Sequence, residues 1–275
     1  MKTQKIFFLI TAFLLIGKTL ICQTEFEWAQ YYSAPNLANE AYASFVDADG
    51  NTYITGRSND WGSPALMDMT TVKYDKDGNL LWVNRINGLC NEDDEGRDIF
   101  VDDDGYVYVC GFAGACYDFD DYAVVKYDPD GNIVWQAGYN SPPHPDMPYH
   151  DRAEKIFVDE NKNVYVTGRC YQWDETNFIL HWNIGTVKYD QDGNFLWADL
   201  YNTPENNDEH PVGIHVNQFG EVLVAAYTKD PTLFDQSDWI VLMYDSLGNR
   251  VWEHRFNGTM NGEDEAAVIT RRSIR

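Results

Sequence analysis

An all-β fold built from repeated four-stranded antiparallel units is the expectation for this 275-residue chain, and three observations carry it. One phrase recurs four times: a hydrophobic-Lys-Tyr-Asp strand, an Asp-x-x-Gly-Asn turn, then a Trp. Tyr74, Tyr127, Tyr189 and Tyr244 are thereby followed at fixed spacing by Trp82, Trp135, Trp197 and Trp252, with Met243 replacing the Lys in the last copy. Upstream of each phrase stands a β-branched and aromatic strand closed by Gly, at Tyr53 to Gly56, Tyr108 to Gly111 and Tyr165 to Gly168, degenerate at Leu223 to Ala226. Finally, no stretch after residue 22 keeps a helical apolar period with caps, so no helix is expected in the mature chain. Periods of roughly 40 to 60 residues mark arrays of one supersecondary unit whose apolar face is buried by its neighbours.

The elements follow in order. Lys2 and Lys5 precede an apolar run from Ile6 to Gly17, and Cys22-Gln23 offers a cleavage point, so residues 1–22 read as a signal peptide. The run is shorter than the roughly 20 residues a spanning helix needs, and nothing later supplies another. The protein is therefore expected outside the cell or on its surface, or in a periplasm, with no membrane insertion after cleavage. Lipoprotein processing at Cys22 is disfavoured by Ile21, where a small residue belongs. Phe26, Trp28 and Tyr32 match the Trp strand alone and read as a closing strand over 25–33.

Four full units follow over 36–88, 89–140, 141–202 and 203–258. Each opens on a segment ending Phe45-Val46-Asp47, Phe100-Val101-Asp102, Phe157-Val158-Asp159 or His215-Val216-Asn217. Tight turns follow at Gly50, Gly105 and Gly220. The third unit has Lys162 instead, and its flanking Asn residues are expected to tolerate the left-handed conformation. On the Trp strand, Leu80, Ile133 and Phe195 before the Trp, and Ile86, Tyr139, Tyr201 and Phe256 after it, predict one half-buried face. Residues 259–275 match only a first strand, Asp264 to Ile269, and form a partial blade.

Consecutive antiparallel units of about 55 residues fit the blades of a β-propeller. The prediction for residues 23–275 is four complete blades plus an orphan N-terminal strand and a partial C-terminal blade, an incomplete ring. The chain resembles the secreted bacterial β-propeller repeat proteins (SBBP repeats) through the Val-Asp-x-x-Gly-Asn-x-Tyr-x-Thr-Gly run from Val46 to Gly56 and the Val-Lys-Tyr-Asp run from Val125 to Asn132. The resemblance spans nearly all of the mature chain and implies a fold rather than a ligand.

The formal charge is −24, and loss of residues 1–22 removes Lys2, Lys5 and Lys18 and no acid, leaving −27. Such a surface repels phosphate backbones and anionic membranes, which excludes nucleic acid as a partner. Cations, basic partners and neutral ligands such as sugars suit it. Cys90, Cys110, Cys116 and Cys170 allow two disulfides in three connectivities. Cys116 and Cys170 read as loop residues on one face, and Cys110 as a small residue on a strand.

Two sets of residues are candidates for chemistry. Asn39-Glu40, Asp94-Glu95, Asp151-Arg152, Glu209-His210 and Asp264-Glu265 precede the innermost strands, so Glu40, Asp94, Glu95, Asp151, Glu209 and Glu265 are expected around one mouth of the channel, where oxygens from several segments suit calcium. The competing reading is a solvated acidic rim. Trp61, Tyr117, Tyr171, Trp173 and Trp182, with Phe178 and Phe234, sit in the loops of one face, where aromatics stack on sugars, grip a protein or pack beneath their own loop. His144, Asp146, His150 and Asp151 cluster in one proline-rich loop but match no strong zinc spacing. Taken alone, these features favour a secreted non-enzymatic binding or scaffold module for protein or glycan partners. The alternative is a hydrolase or lyase at the acidic channel mouth.

Overall fold

The computed structural model describes residue 29 and residues 39–59, 66–88, 92–115, 119–142, 150–174, 179–229 and 237–256. Among these residues there are sixteen strands and no helix. The first sheet holds β1 (Asn39–Val46), β2 (Thr52–Asn59), β3 (Met67–Tyr74) and β4 (Leu80–Ile86), and the second β5 (Glu95–Val101), β6 (Val107–Ala115), β7 (Phe119–Tyr127) and β8 (Ile133–Tyr139). The third holds β9 (Asp151–Val158), β10 (Val164–Asp174), β11 (Ile179–Tyr189) and β12 (Phe195–Tyr201), and the fourth β13 (Asp208–Val216), β14 (Val222–Lys229), β15 (Ser237–Tyr244) and β16 (Arg250–Phe256). Each sheet is an antiparallel meander in chain order. The first strand of each sheet packs on the first three of the sheet before it: β5 on β1 to β3, β9 on β5 to β7, and β13 on β9 to β11. This is the blade arrangement of a β-propeller, with β1, β5, β9 and β13 innermost. The expected closing strand at 25–33, Ala29 aside, and the partial blade at 259–275 lie outside the described residues, and among the described residues no helix is long and apolar enough to cross a membrane.

The repeated turn has one construction, used twice per blade. In every copy, from Asp47 to Asp245, the side-chain Oδ1 of the first residue accepts the backbone N–H two and four residues later. The Tyr53, Tyr108 and Tyr165 hydroxyls donate to the second oxygen of Asp47, Asp102 and Asp159, which ties the following strand to its own turn. These carboxylates are occupied by the donors of their own hairpin, which accounts for the Asp that opens each of these turns. In the third blade Lys162 itself takes the left-handed conformation, with φ 64°, in place of its Asn neighbours. Its Nζ reaches back to Asp102 at 3.0 Å and Asp104 at 2.9 Å in the preceding blade, an attraction that offsets the backbone cost.

The Lys-Tyr-Asp…Trp phrase is an inter-blade clamp. Lys73 Nζ and Trp82 Nε1 both donate to the Pro129 carbonyl in the next blade's turn, at 3.2 and 3.1 Å. Lys126 and Trp135 grip the Gln191 carbonyl in the same way, at 3.4 and 3.0 Å. Lys188 reaches Ser246 O at 3.5 Å, and the Trp197 ring lies against Gly248. Between blades the apolar core is buried in sheet-on-sheet layers, such as Tyr53 and Met69 against Ile99 and Tyr127, and Tyr108 and Val124 against Ile156 and Val187. Burial of this kind is worth about 25 cal/mol per Å².

Two expectations change. The fourth strands are outer edges, so Leu80, Ile133 and Phe195 are exposed rather than half-buried, and the Trp that seats on the next turn is the residue the strand protects. Cys170 is no loop residue. It is buried on β10 with Sγ 3.7 Å from the Tyr122 hydroxyl, and like the buried Cys110 it is a free thiol. Cys90 and Cys116 lie outside the described residues.

Candidate functional site at the propeller mouth

The mouth is built at the entry ends of β1, β5, β9 and β13, where each strand carries one extra residue: Tyr42, Arg97, Glu154 and Val212. A bulge re-aims side chains and is common beside sites. The blade-closing glycines permit it. A Cβ on Gly56, Gly111 or Gly168 would stand 1.9, 1.8 or 2.1 Å from the carbonyl of Glu40, Glu95 or Arg152.

The predicted acids separate into two groups. Asp94, Asp151 and Glu209 are fully buried and tie down the connection entering their blade. Asp94 accepts the Gly88 and Gly114 N–H groups at 2.6 and 2.8 Å, Asp151 that of Ser141 at 2.6 Å, and Glu209 the Thr203 N–H and hydroxyl at 3.1 and 2.6 Å. Burial pushes Asp94 up to about 6 and Glu209 up to about 8 against these donors. Glu40 and Glu95 instead join arginines. Arg57 bridges them, and Arg97 Nη2 lies 2.6 Å from the other Glu95 oxygen. Hydrogen bonds from Tyr42 and Arg57 hold Glu40 below the usual carboxylate range. The expected ring of calcium ligands is not assembled: no three Asp, Glu, His or Cys side chains among the described residues converge on one point, and Glu265 lies outside them.

A stack of alternating cations and rings crosses blades one to three. Arg57 lies 5.9 Å and Arg97 4.6 Å from the Tyr42 ring, and Arg97 5.6 Å and Arg152 4.7 Å from Phe112. Arg152 and Arg169 lie 6.0 and 4.9 Å from Trp182. In the fourth blade His210 stacks on Tyr227 at 4.8 Å, and burial, then Arg169 and Lys229, hold its pKa down at about 4. Between blades two and three, Asp120 Oδ2 accepts Arg152 Nε at 2.7 Å and faces His150 Nδ1 at 3.1 Å. Burial alone would raise Asp120, but the His150 and Arg152 partners outweigh it and keep the carboxyl below its ordinary range. Beside Glu40 and Arg57 a cavity of about 230 Å³ opens, lined further by Ser58, Thr70 and Tyr74.

Of the aromatic candidates, Tyr171 packs on Trp182 at 4.7 Å, and Trp182 is occupied by two guanidinium groups, so both are built into the blade surface. Trp173 is half-buried on the extended β10, and Trp61 and Tyr117 lie outside the described residues. The arginine stack and the Asp120–His150 pair were missed from sequence. The signal available was positional: Arg57, Phe112 and Arg169 each directly follow a blade-closing glycine, and Tyr227 follows Ala226.

No family model and no curated protein matches the chain. Solved structures do. An α-L-arabinanase of Penicillium chrysogenum complexed with arabinobiose is 9% identical, with TM-score 0.51 over 86% of this chain and 70% of its own. An α-L-arabinofuranosidase from Fusarium graminearum with an iminosugar inhibitor is 10% identical, with TM-score 0.52 over 85% and 70%. An ulvan lyase of polysaccharide lyase family 25, bound to a GlcA(1-4)Rha3S unit, is 12% identical, with TM-score 0.53 over 80% of this chain and 58% of its own. At these identities the likeness establishes the propeller fold.

Proposed function

We propose that the chain is an exported polysaccharide-degrading enzyme, a hydrolase or lyase acting at the propeller mouth, rather than the non-enzymatic module that the sequence alone favours. The observation that carries this reading is the His150–Asp120–Arg152 arrangement. A carboxylate facing Nδ1 orients the imidazole and selects Nε2 as the nitrogen that exchanges a proton, the role of a general acid or base. Guanidinium groups beside it offer preorganised positive charge to an oxygen that becomes anionic as the reaction proceeds. Support also comes from the glycan chemistry of the structurally similar arabinanase, arabinofuranosidase and ulvan lyase, and from the apolar leader, which suits a protein that meets polysaccharide outside the cell.

The test is turnover on a polysaccharide panel, reading reducing ends for hydrolysis and ultraviolet absorbance of unsaturated ends for elimination. His150→Ala is expected to lower turnover about 100-fold or more while circular dichroism stays unchanged. Absence of turnover on every polymer, or full activity in His150→Ala, would remove the reading.

A further inference from the structure

We infer that the mouth takes an acidic glycan, a polymer whose sugars carry carboxylate or sulfate groups, and that Arg57, Arg97, Arg152 and Arg169 receive those anions. This rests on the glycan reading above and names its substrate class. Four of the ten arginines in a chain of net charge −24 gather in one stack, which needs a physical reason. The stack could serve as glue between blades, but apolar side chains of similar volume commonly do that at least as well as buried ion pairs.

The order of charges by depth points outward instead. The Arg57 and Arg97 side chains are each 24% exposed above Glu95 at 5%, and Arg152 is 32% exposed above Asp120 at 13%. Arg169 and Glu154 are nearly level, and only Glu40 lies outside its arginine. Carboxylates beneath therefore hold the guanidinium groups in place, while the cations form most of the layer that meets a ligand.

The donors match that role. A guanidinium carries five N–H donors in a planar fork, and no more than two nitrogens of each of these four are engaged among the described residues. Arg57 Nε and Arg97 Nε are buried without a hydrogen-bond partner there. The N–H groups that these ion pairs leave over form the recognition surface, and a planar fork of donors is the arrangement that receives carboxylate or sulfate oxygens. The net charge of −24 opposes a polyanion that lies along the whole surface, as a nucleic acid would, but at physiological salt, where the Debye length is about 8 Å, a chain held at the mouth is governed by the local arginine layer.

The experiment is calorimetric titration of the whole chain with matched polymers: a polyuronate against its carboxyl-reduced form, and a sulfated glycan against its desulfated form. Removing the anion is expected to weaken binding about tenfold or more in one pair, which identifies the group received. Arg152→Gln is expected to weaken the acidic polymer by a similar factor, with Arg152→Lys intermediate because it keeps charge but loses the fork. If neutral forms bind and react as well as acidic ones, the inference falls and the enzyme reading stands. If acidic polymers bind specifically but are not cleaved, the inference stands and the enzyme reading falls. Binding of no polymer overturns both.

Discussion

Gly131→Ala and Gly105→Ala form a matched pair that isolates the inter-blade clamp. Both glycines close tight turns in the second blade with nearly equal backbone geometry, φ +85° and +81°. A Cβ at Gly105 would meet nothing nearer than Pro129 Cγ at 3.5 Å, an ordinary contact. At Gly131 it would lie 2.6 Å from Trp82 Cδ2 and 2.7 Å from Cγ, inside the indole. The left-handed backbone costs an alanine about 1 to 2 kcal/mol at either site. Overpacking against the indole adds about 1 to 3 kcal/mol, and loosening the Trp82 hydrogen bond to Pro129 about 1 more. Gly105→Ala is thus expected to cost about 1 to 2 kcal/mol and Gly131→Ala about 3 to 6. Equilibrium urea unfolding followed by tryptophan fluorescence reads the difference, with equal m-values as the condition for comparison. In a Trp82→Ala background the extra penalty at Gly131 should disappear. Equal costs for the two substitutions, or an excess that survives removal of Trp82, would refute the clamp.

Burial raises Glu209 from 4.5 to about 8, so the folded chain binds a proton that the unfolded chain has released. Its stabilising contribution is complete below pH 4.5 and is lost as pH rises through about 8. Glu209→Gln, which keeps an acceptor for Thr203, should therefore gain on the parent across that window, with a ceiling of about 5 kcal/mol, and parallel stability–pH curves would contradict it. Burial also pushes the Cys110 and Cys170 thiols well above the ordinary range. Both should resist alkylation in the native protein and be recovered as free thiols after denaturation, and a disulfide at either position found by peptide mapping would contradict the fold. In the fourth blade, where Met243 replaces the clamp Lys, Trp252→Ala should cost less than about 1 kcal/mol, because Trp252 is 38% exposed, whereas Trp135→Ala should cost about 2 to 3.

The blades were legible in the sequence because their determinants are local. An Asp that caps its own hairpin, a glycine three residues later and a Trp at fixed spacing act within a dozen residues, and fourfold repetition makes even weak local preferences readable. The first turn of the third blade shows the limit: Lys162 adopts a conformation for which Asn has the higher intrinsic preference, because Asp102 and Asp104 of another blade hold its ammonium. The candidate site was legible only in part. Glu40 and Glu95 were found, but Asp94, Asp151 and Glu209 share their motif while serving buried backbone N–H groups. Neighbouring positions on a strand face opposite ways, and composition does not reveal which is which.

Sequence alone thus determined the strand content, the blade unit and the acidic character of this protein, all consequences of residue type and spacing. Tertiary structure alone decided that Arg57, Arg97, Arg152 and Arg169 share one stack with Tyr42, Phe112 and Trp182, and that His150 meets Asp120. The joins between blades are Arg97 on Tyr42, Arg152 on Phe112 and His150 against Asp120, and their approach depends on strand bulges and on how one sheet packs against the next.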